Sequence, residues 1–131
     1  MKKLFVILGI LFSGFVNAQT IGDHLNTVME AKPGGTVDPN KPYTYSVNET
    51  SVESLMMYFF DENLICIKLV IAPQTSLTRQ KWAASFNDNW ISLNSTEWRF
   101  YREDGMVLRN SMEYVKDVGT VFFIREEKVL N

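Results

Sequence analysis

The side chains with obvious chemistry are few and far apart. His24 is the sole histidine and Cys66 the sole cysteine of the 131-residue chain. One imidazole and one thiol cannot supply the four nitrogen or sulfur ligands of a structural zinc centre. Histidine is the one side-chain type whose ordinary range spans neutral pH, and His24 is its sole member here. A hydrolase built on it needs a nucleophile or carboxylate brought in from far along the chain, and no motif marks one. Beside Asp23, His24 reads as a boundary residue on a helical stripe. Cys66 reads as a small buried hydrophobe, with a dimer disulfide as its functional alternative. Asp61-Glu62 and Asp88 are isolated acids, not a spaced calcium loop. Gly34-Gly35 lacks the lysine and the helix start that phosphate loops use. Paired carboxylates for glycoside chemistry meet only in space, so sequence does not expose them. No catalytic residue, cofactor or metal is assigned.

Aromatic rings offer a second kind of chemistry. Trp82, Ala83, Phe86 and Trp90 recur at near-helical spacing and read as a core stripe. Trp98 falls on the apolar side of its strand. The alternative is a stacking platform for sugars, and only Asn87-Asp88-Asn89-Trp90 has the residues for it. Asn87, Asn89 and Trp90 are therefore the candidate glycan contacts.

These residues must be held by recognisable elements. Thr20 to Lys32 reads as a helix, with Thr20 as cap, Asp23 in the first turn, and Ile21, Leu25, Val28 and Met29 on one face. Pro33-Gly34-Gly35 stops it, and Pro33 to Pro42 reads as a loop. Tyr43, Tyr45 and Val47 alternate with polar residues as a strand does. A turn over Asn48–Ser51 leads to two strands, Ser54–Phe60 and Leu64–Ala72. Pro73 ends the second. A helix follows over Ser76–Asn89. Strands Glu97–Arg102, Met106–Tyr114 and Thr120–Glu126 complete the chain, with Asp117-Val118-Gly119 as the last turn and Glu127–Asn131 as a frayed end. In the second hairpin, Trp98 and Phe100 share a face with Met106, Leu108 and Met112 only if Arg102 lies opposite Met106. That predicts the three-residue loop Glu103-Asp104-Gly105, with Gly105 left-handed. The pattern predicts an α+β domain in approximate α-βββ-α-βββ order: a single antiparallel sheet with two helices on one face.

The first hairpin is the anomaly. By analogy its loop is Asp61-Glu62-Asn63, with Asn63 left-handed and Phe60 opposite Leu64. One face then carries Leu55, Met57, Phe59, Ile65, Ile67, Leu69 and Ile71, a full core face. The other carries Met56, Tyr58, Phe60, Leu64, Cys66, Lys68 and Val70, apolar where a wet face alternates to polar residues. Either another part of the chain covers this second face or it meets a partner. Met56, Tyr58, Phe60, Leu64, Cys66 and Val70 are the candidate interaction surface.

The first eighteen residues indicate where the protein works. Lys2 and Lys3 precede the apolar run Leu4–Phe15, and Val16-Asn17-Ala18 suits a cut before Gln19. That is the layout of a secretory signal peptide. The run is shorter than the roughly 20 residues of a spanning helix. Gln19 stands where a lipoprotein needs cysteine, so no membrane anchor is expected after cleavage. The expected organisation is residues 1–18 as a cleaved leader and 19–131 as one domain, placed in the periplasm or the medium. The net charge of −2 becomes more negative once both leader lysines are lost. With no basic stripe in the sequence, nucleic acid is not an expected partner.

The leader ending Val16-Asn17-Ala18-Gln19, the short first helix and the hairpin Tyr58-Phe59-Phe60…Leu64-Ile65-Cys66 resemble those of small exported bacterial α+β proteins of unknown function. The repeated layout of helix and antiparallel strands is similar to that of β-lactamase-inhibitor-like envelope proteins. The resemblance implies binding rather than catalysis. The expected function is a non-enzymatic protein-interaction module, meeting a protein partner or a second copy of itself. A glycan or cell-wall binder is the alternative, ahead of a small hydrolase centred on His24.

Overall fold

The computed structural model describes residues 20–38 and 43–128. The expected leader, residues 39–42 of the expected loop and residues 129–131 of the expected frayed end lie outside this range. In chain order the elements are helix α1 (Leu25–Ala31), strands β1 (Thr36–Val37) and β2 (Thr44–Glu49), a 3-10 turn (Thr50–Val52), β3 (Ser54–Phe60), β4 (Cys66–Pro73), helix α2 (Ser76–Asn89), β5 (Ile91–Asn94), β6 (Glu97–Tyr101), β7 (Val107–Val115) and β8 (Gly119–Glu126). The strands form one antiparallel sheet in the order β1-β2-β3-β4-β8-β7-β6-β5. Each half is a meander, and the halves join where β4 pairs with β8.

Both halves hold one strand more than expected, so the order is α-ββββ-α-ββββ. The added strands are the sheet's two edges. β1 is two residues long and pairs Thr36 with Ser46 and Val37 with Tyr45. It lies inside the stretch expected to be loop. β5 follows α2 with only Trp90 between them, so no turn residues announce it. Glu127 is not frayed: its amide donates to the Val107 carbonyl at 2.7 Å and extends the β8–β7 ladder.

α1 begins later than Thr20. The Asp23 amide donates to the Thr20 carbonyl at 3.0 Å, which closes a turn before the helix. His24, in extended backbone, is the cap, and its Nδ1 accepts from the Asn26 amide at 3.1 Å. α2 has the expected bounds. The Thr75 hydroxyl accepts from the Thr78 amide at 3.0 Å, a cap that contributes about 1 kcal/mol.

The core forms where α2 meets one face of the sheet. Phe86 lies 5.2–5.8 Å, ring to ring, from Trp82, Trp90, Trp98 and Phe122. Each such pair contributes about 0.5–1.5 kcal/mol beyond the area it buries. The indole N–H of Trp82 donates to the Ser54 hydroxyl at 2.9 Å, and that of Trp98 to the Asn87 side chain at 2.8 Å. Toward the other end, the Tyr45 hydroxyl donates to the Lys32 carbonyl just after α1 and accepts from the Gly35 amide at 2.9 Å. Ile21 and Val28 join the same buried cluster. Arg102 ties the first turn to the β6–β7 hairpin, donating to the Ile21 carbonyl at 2.6 Å.

Candidate functional site

Strand pairing assigns every side chain to one of two faces. Tyr45, Tyr58, Leu69, Ile124, Asn110 and Trp98 are successive neighbours across the sheet, and α2 and the Tyr45 hydrogen bonds act on this side. We call it the Tyr58 face. Its opposite, by alternation along each strand, is the Phe59 face.

The β3–β4 hairpin reverses the expected assignment. Phe60 pairs with Cys66 rather than Leu64, and the pairing shifts between Phe59 and Phe60. The Asp61 amide donates to the Ile65 carbonyl at 2.9 Å, so the loop is Glu62-Asn63-Leu64. Leu64, not Asn63, is the left-handed residue, at φ 62°. The Asp61 carboxylate selects this loop by accepting from the Asn63 and Ile65 amides at 2.9 and 3.0 Å. Ile67 is the extra residue of a bulge, because Phe59 pairs with Lys68. A one-residue slip swaps the faces of a strand. Leu69 and Ile71 therefore join Met56 and Tyr58 in the core, while Leu55, Met57 and Phe59 turn to the opposite face.

The expected interaction surface is thereby relocated. Met56, Tyr58, Phe60 and Cys66 are buried in the core at 5% exposure or less. Burial pushes the Cys66 thiol up to about 12 and moves the Tyr58 phenol in the same direction. Leu64 is half-buried in the loop, and Val70 is buried on the Phe59 face. The expected glycan contacts do not form a platform. Trp90 is 5% exposed and packed edge-on against Phe86. Asn87 holds the Trp98 indole, and the Asn89 amide donates to the Ser85 carbonyl at 2.8 Å. His24 is occupied as a helix cap. Among the described residues, no group of three or more His, Cys, Asp or Glu side chains could hold a metal ion.

The Phe59 face presents different chemistry. Half-buried Leu55, Met57 and Phe59 on β3 adjoin buried Val70 and half-buried Ala72 on β4, then buried Val121 and half-buried Phe123 on β8. This apolar area crosses three neighbouring strands. Beside it runs a row of cations. Arg99 pairs with Arg109, Arg109 with Arg125, and Arg125 with Lys68, on β6, β7, β8 and β4. The Lys68 ammonium sits 4.4 Å from the centre of the Phe59 ring and 5.7 Å from that of Phe123. Cations over ring faces are attracted by the ring quadrupole. Exposed Ile91 and Tyr101 flank the far end of the row.

Like charges directly opposite on adjacent strands destabilise a sheet, and carboxylates offset this at one end only. Glu127 accepts from Arg99 Nε at 2.6 Å, from Arg99 Nη2 at 2.8 Å and from Arg109 Nη1 at 2.8 Å. Glu97 meets Arg109 Nη2 at 3.1 Å. Hydrogen bonds from Arg99 hold the Glu127 carboxyl below its ordinary range, and the Asn94 amide, then Arg109, do the same for Glu97. At the other end, exposed Arg125 makes no ion pair among the described residues. Glu97, Arg109, Arg125, Glu126, Glu127 and Lys128 line a half-open basin of about 510 Å³.

Sequence reading found the two-sided hairpin and missed the cation row. Its members lie at four separate places in the chain, and only the sheet order aligns them. Comparison with protein-family models, with curated proteins and with solved structures returns no match.

Proposed function

We propose that the chain is an exported, non-enzymatic protein-interaction module whose partner docks on the Phe59 face. The observation that carries this reading is the group of half-buried apolar side chains Leu55, Met57, Phe59 and Phe123 around buried Val70, beside the arginine row. Met, aromatic residues and Arg are the types that interface cores favour. The contacts of α2 and the Tyr45 hydroxyl support a finer arrangement in which both helices pack on the Tyr58 face, leaving the Phe59 face to the partner. Export rests on the charged start, the apolar run and the small-residue ending of residues 1–18.

The test is affinity capture from an envelope extract with purified protein, using Phe59→Lys, Met57→Lys and a remote control, Leu77→Lys. Leu77 is 61% exposed on α2. All variants are first shown to fold by circular dichroism. A protein retained by the wild type and the Leu77 variant but lost by the other two supports the reading. Equal retention by folded forms of all four overturns it. Sedimentation of the bait alone identifies self-association through the same surface.

A further inference from the structure

We propose that the Arg125–Lys68 end of the cation row is a carboxylate-recognition site, and that the partner segment it takes is an acidic, apolar stretch of polypeptide. This rests on the docking reading above and names the chemistry of what docks.

The row already displays its ligand preference. Where Arg99 and Arg109 stand side by side, the Glu127 carboxylate bridges them with three short hydrogen bonds. A carboxylate held by planar guanidinium donors in this way gains both strength and orientation. Arg125 and Lys68 continue the row at the same cross-strand spacing of about 4.8 Å, but among the described residues no carboxylate forms an ion pair with Arg125, and Glu97 acts on it only through space. The Arg109 Nε–H, buried beside it, also lacks a protein acceptor. Four aligned cations therefore carry two carboxylates, both at the Arg99–Arg109 end. An incoming carboxylate at Arg125 relieves the remaining repulsion between Arg109, Arg125 and Lys68.

The surroundings of that position select polypeptide over a small anion. Phe59, Phe123, Val70 and Met57 adjoin Lys68 and Arg125 on the same face. A carboxylate at Arg125 places its neighbouring side chains over these apolar groups. An acidic residue flanked by apolar or aromatic ones matches both halves of the site. A nucleic acid or a phosphate fits the cations but leaves the apolar half unused.

The experiment uses purified full-length protein and three fluorescent decapeptides that alternate Phe with Glu, Ser or Lys, read by anisotropy. The Glu/Phe peptide is expected to bind the wild type more tightly than the Ser/Phe peptide. The Lys/Phe peptide is expected not to bind. Arg125→Ala weakens the Glu/Phe peptide about tenfold, the worth of one charge-assisted pair, and leaves the Ser/Phe peptide unchanged. Raising the salt to 0.5 M acts in the same direction as Arg125→Ala. Glu127→Gln, which frees Arg99 and Arg109, strengthens Glu/Phe binding. Equal binding of Glu/Phe and Ser/Phe peptides, with both lost in Phe59→Lys, overturns carboxylate recognition and leaves the docking face standing. Absence of binding by every peptide counts against both. Competition by millimolar inorganic phosphate at Arg125 identifies a phosphate site and overturns the polypeptide assignment.

Discussion

Leu64 sets the loop of the first hairpin and so the pairing of Phe60 with Cys66, and a pair of substitutions there tests that loop. Its φ of 62° lies in the left-handed region, which costs a residue bearing Cβ about 1–2 kcal/mol. Leu64→Ala and Leu64→Gly remove the same half-buried side chain beyond Cβ, so their difference isolates the backbone. At an ordinary strand or loop position alanine is favoured by about 0.5–1 kcal/mol, because glycine loses more entropy on folding. In the left-handed well, relief of the Cβ clash outweighs that entropy. Leu64→Gly should then exceed Leu64→Ala in stability by about 0.5–1 kcal/mol. The two readings of the loop differ by about 1.5 kcal/mol and have opposite signs. Urea unfolding resolves this, since slopes of about 1–3 kcal/mol per molar turn 1 kcal/mol into a midpoint shift near 0.5 M. The companion pair at Asn63 should favour alanine. Greater stability for Leu64→Ala, together with a glycine preference at Asn63, would refute the loop. The pairing of Phe60 with Cys66 would fall with it, whereas the faces beyond the bulge at Ile67 rest on the pairing of Tyr58 with Leu69.

Two further predictions concern the core and the β1 edge. Cys66 should resist thiol reagents in the folded protein and react fully in denaturant. Its folded ionisation near 12 lies above the ordinary thiol value of 9 because of burial, so its share of stability is complete below about pH 9 and is lost as pH rises toward 12. Cys66→Ala should flatten alkaline unfolding in that window, and an unchanged profile would refute the burial account. A Cβ added at Gly35 would collide with the Tyr45 ring and lie 2.5 Å from the Ser46 carbonyl oxygen. Gly35→Ala should therefore destabilise the protein by about 1–3 kcal/mol, and a loss below 0.5 kcal/mol in urea unfolding would show that the edge yields freely.

The two hairpins show where the sequence was legible. In the second, apolar residues occupy one face of each strand, so a single register unites them. Arg102 bonds to Met106 across Gly105, whose φ is 91°, as the pattern requires. In the first, both faces of both strands are apolar, and burial scores either register equally well. The deciding features were the bulge at Ile67, which no local signal announces, and a loop set by the Asp61 carboxylate with a leucine in a conformation that composition assigns to asparagine or glycine. α2 was legible because its cap, its stripe and Pro73 agree. α1 was not, because Thr20 and Asp23 mimic a helix start that the chain uses for a turn. The cation row needed knowledge that β4 lies beside β8, a pairing between the ends of the two halves that no local signal encodes.

That pairing also governs how the molecule comes into being. β8 is the last strand among the described residues, yet it fills the middle of the sheet. Until it emerges, β4 has an open edge, and loop closure to a distant partner is slow. An unpaired apolar edge is a template for another chain. The nascent first half therefore passes through an interval in which Lys68 to Ile71 of β4 lack their strand partner. Loss of a few residues from β8 prolongs that interval indefinitely, so shortened chains should accumulate as strand-paired oligomers although the first half is intact.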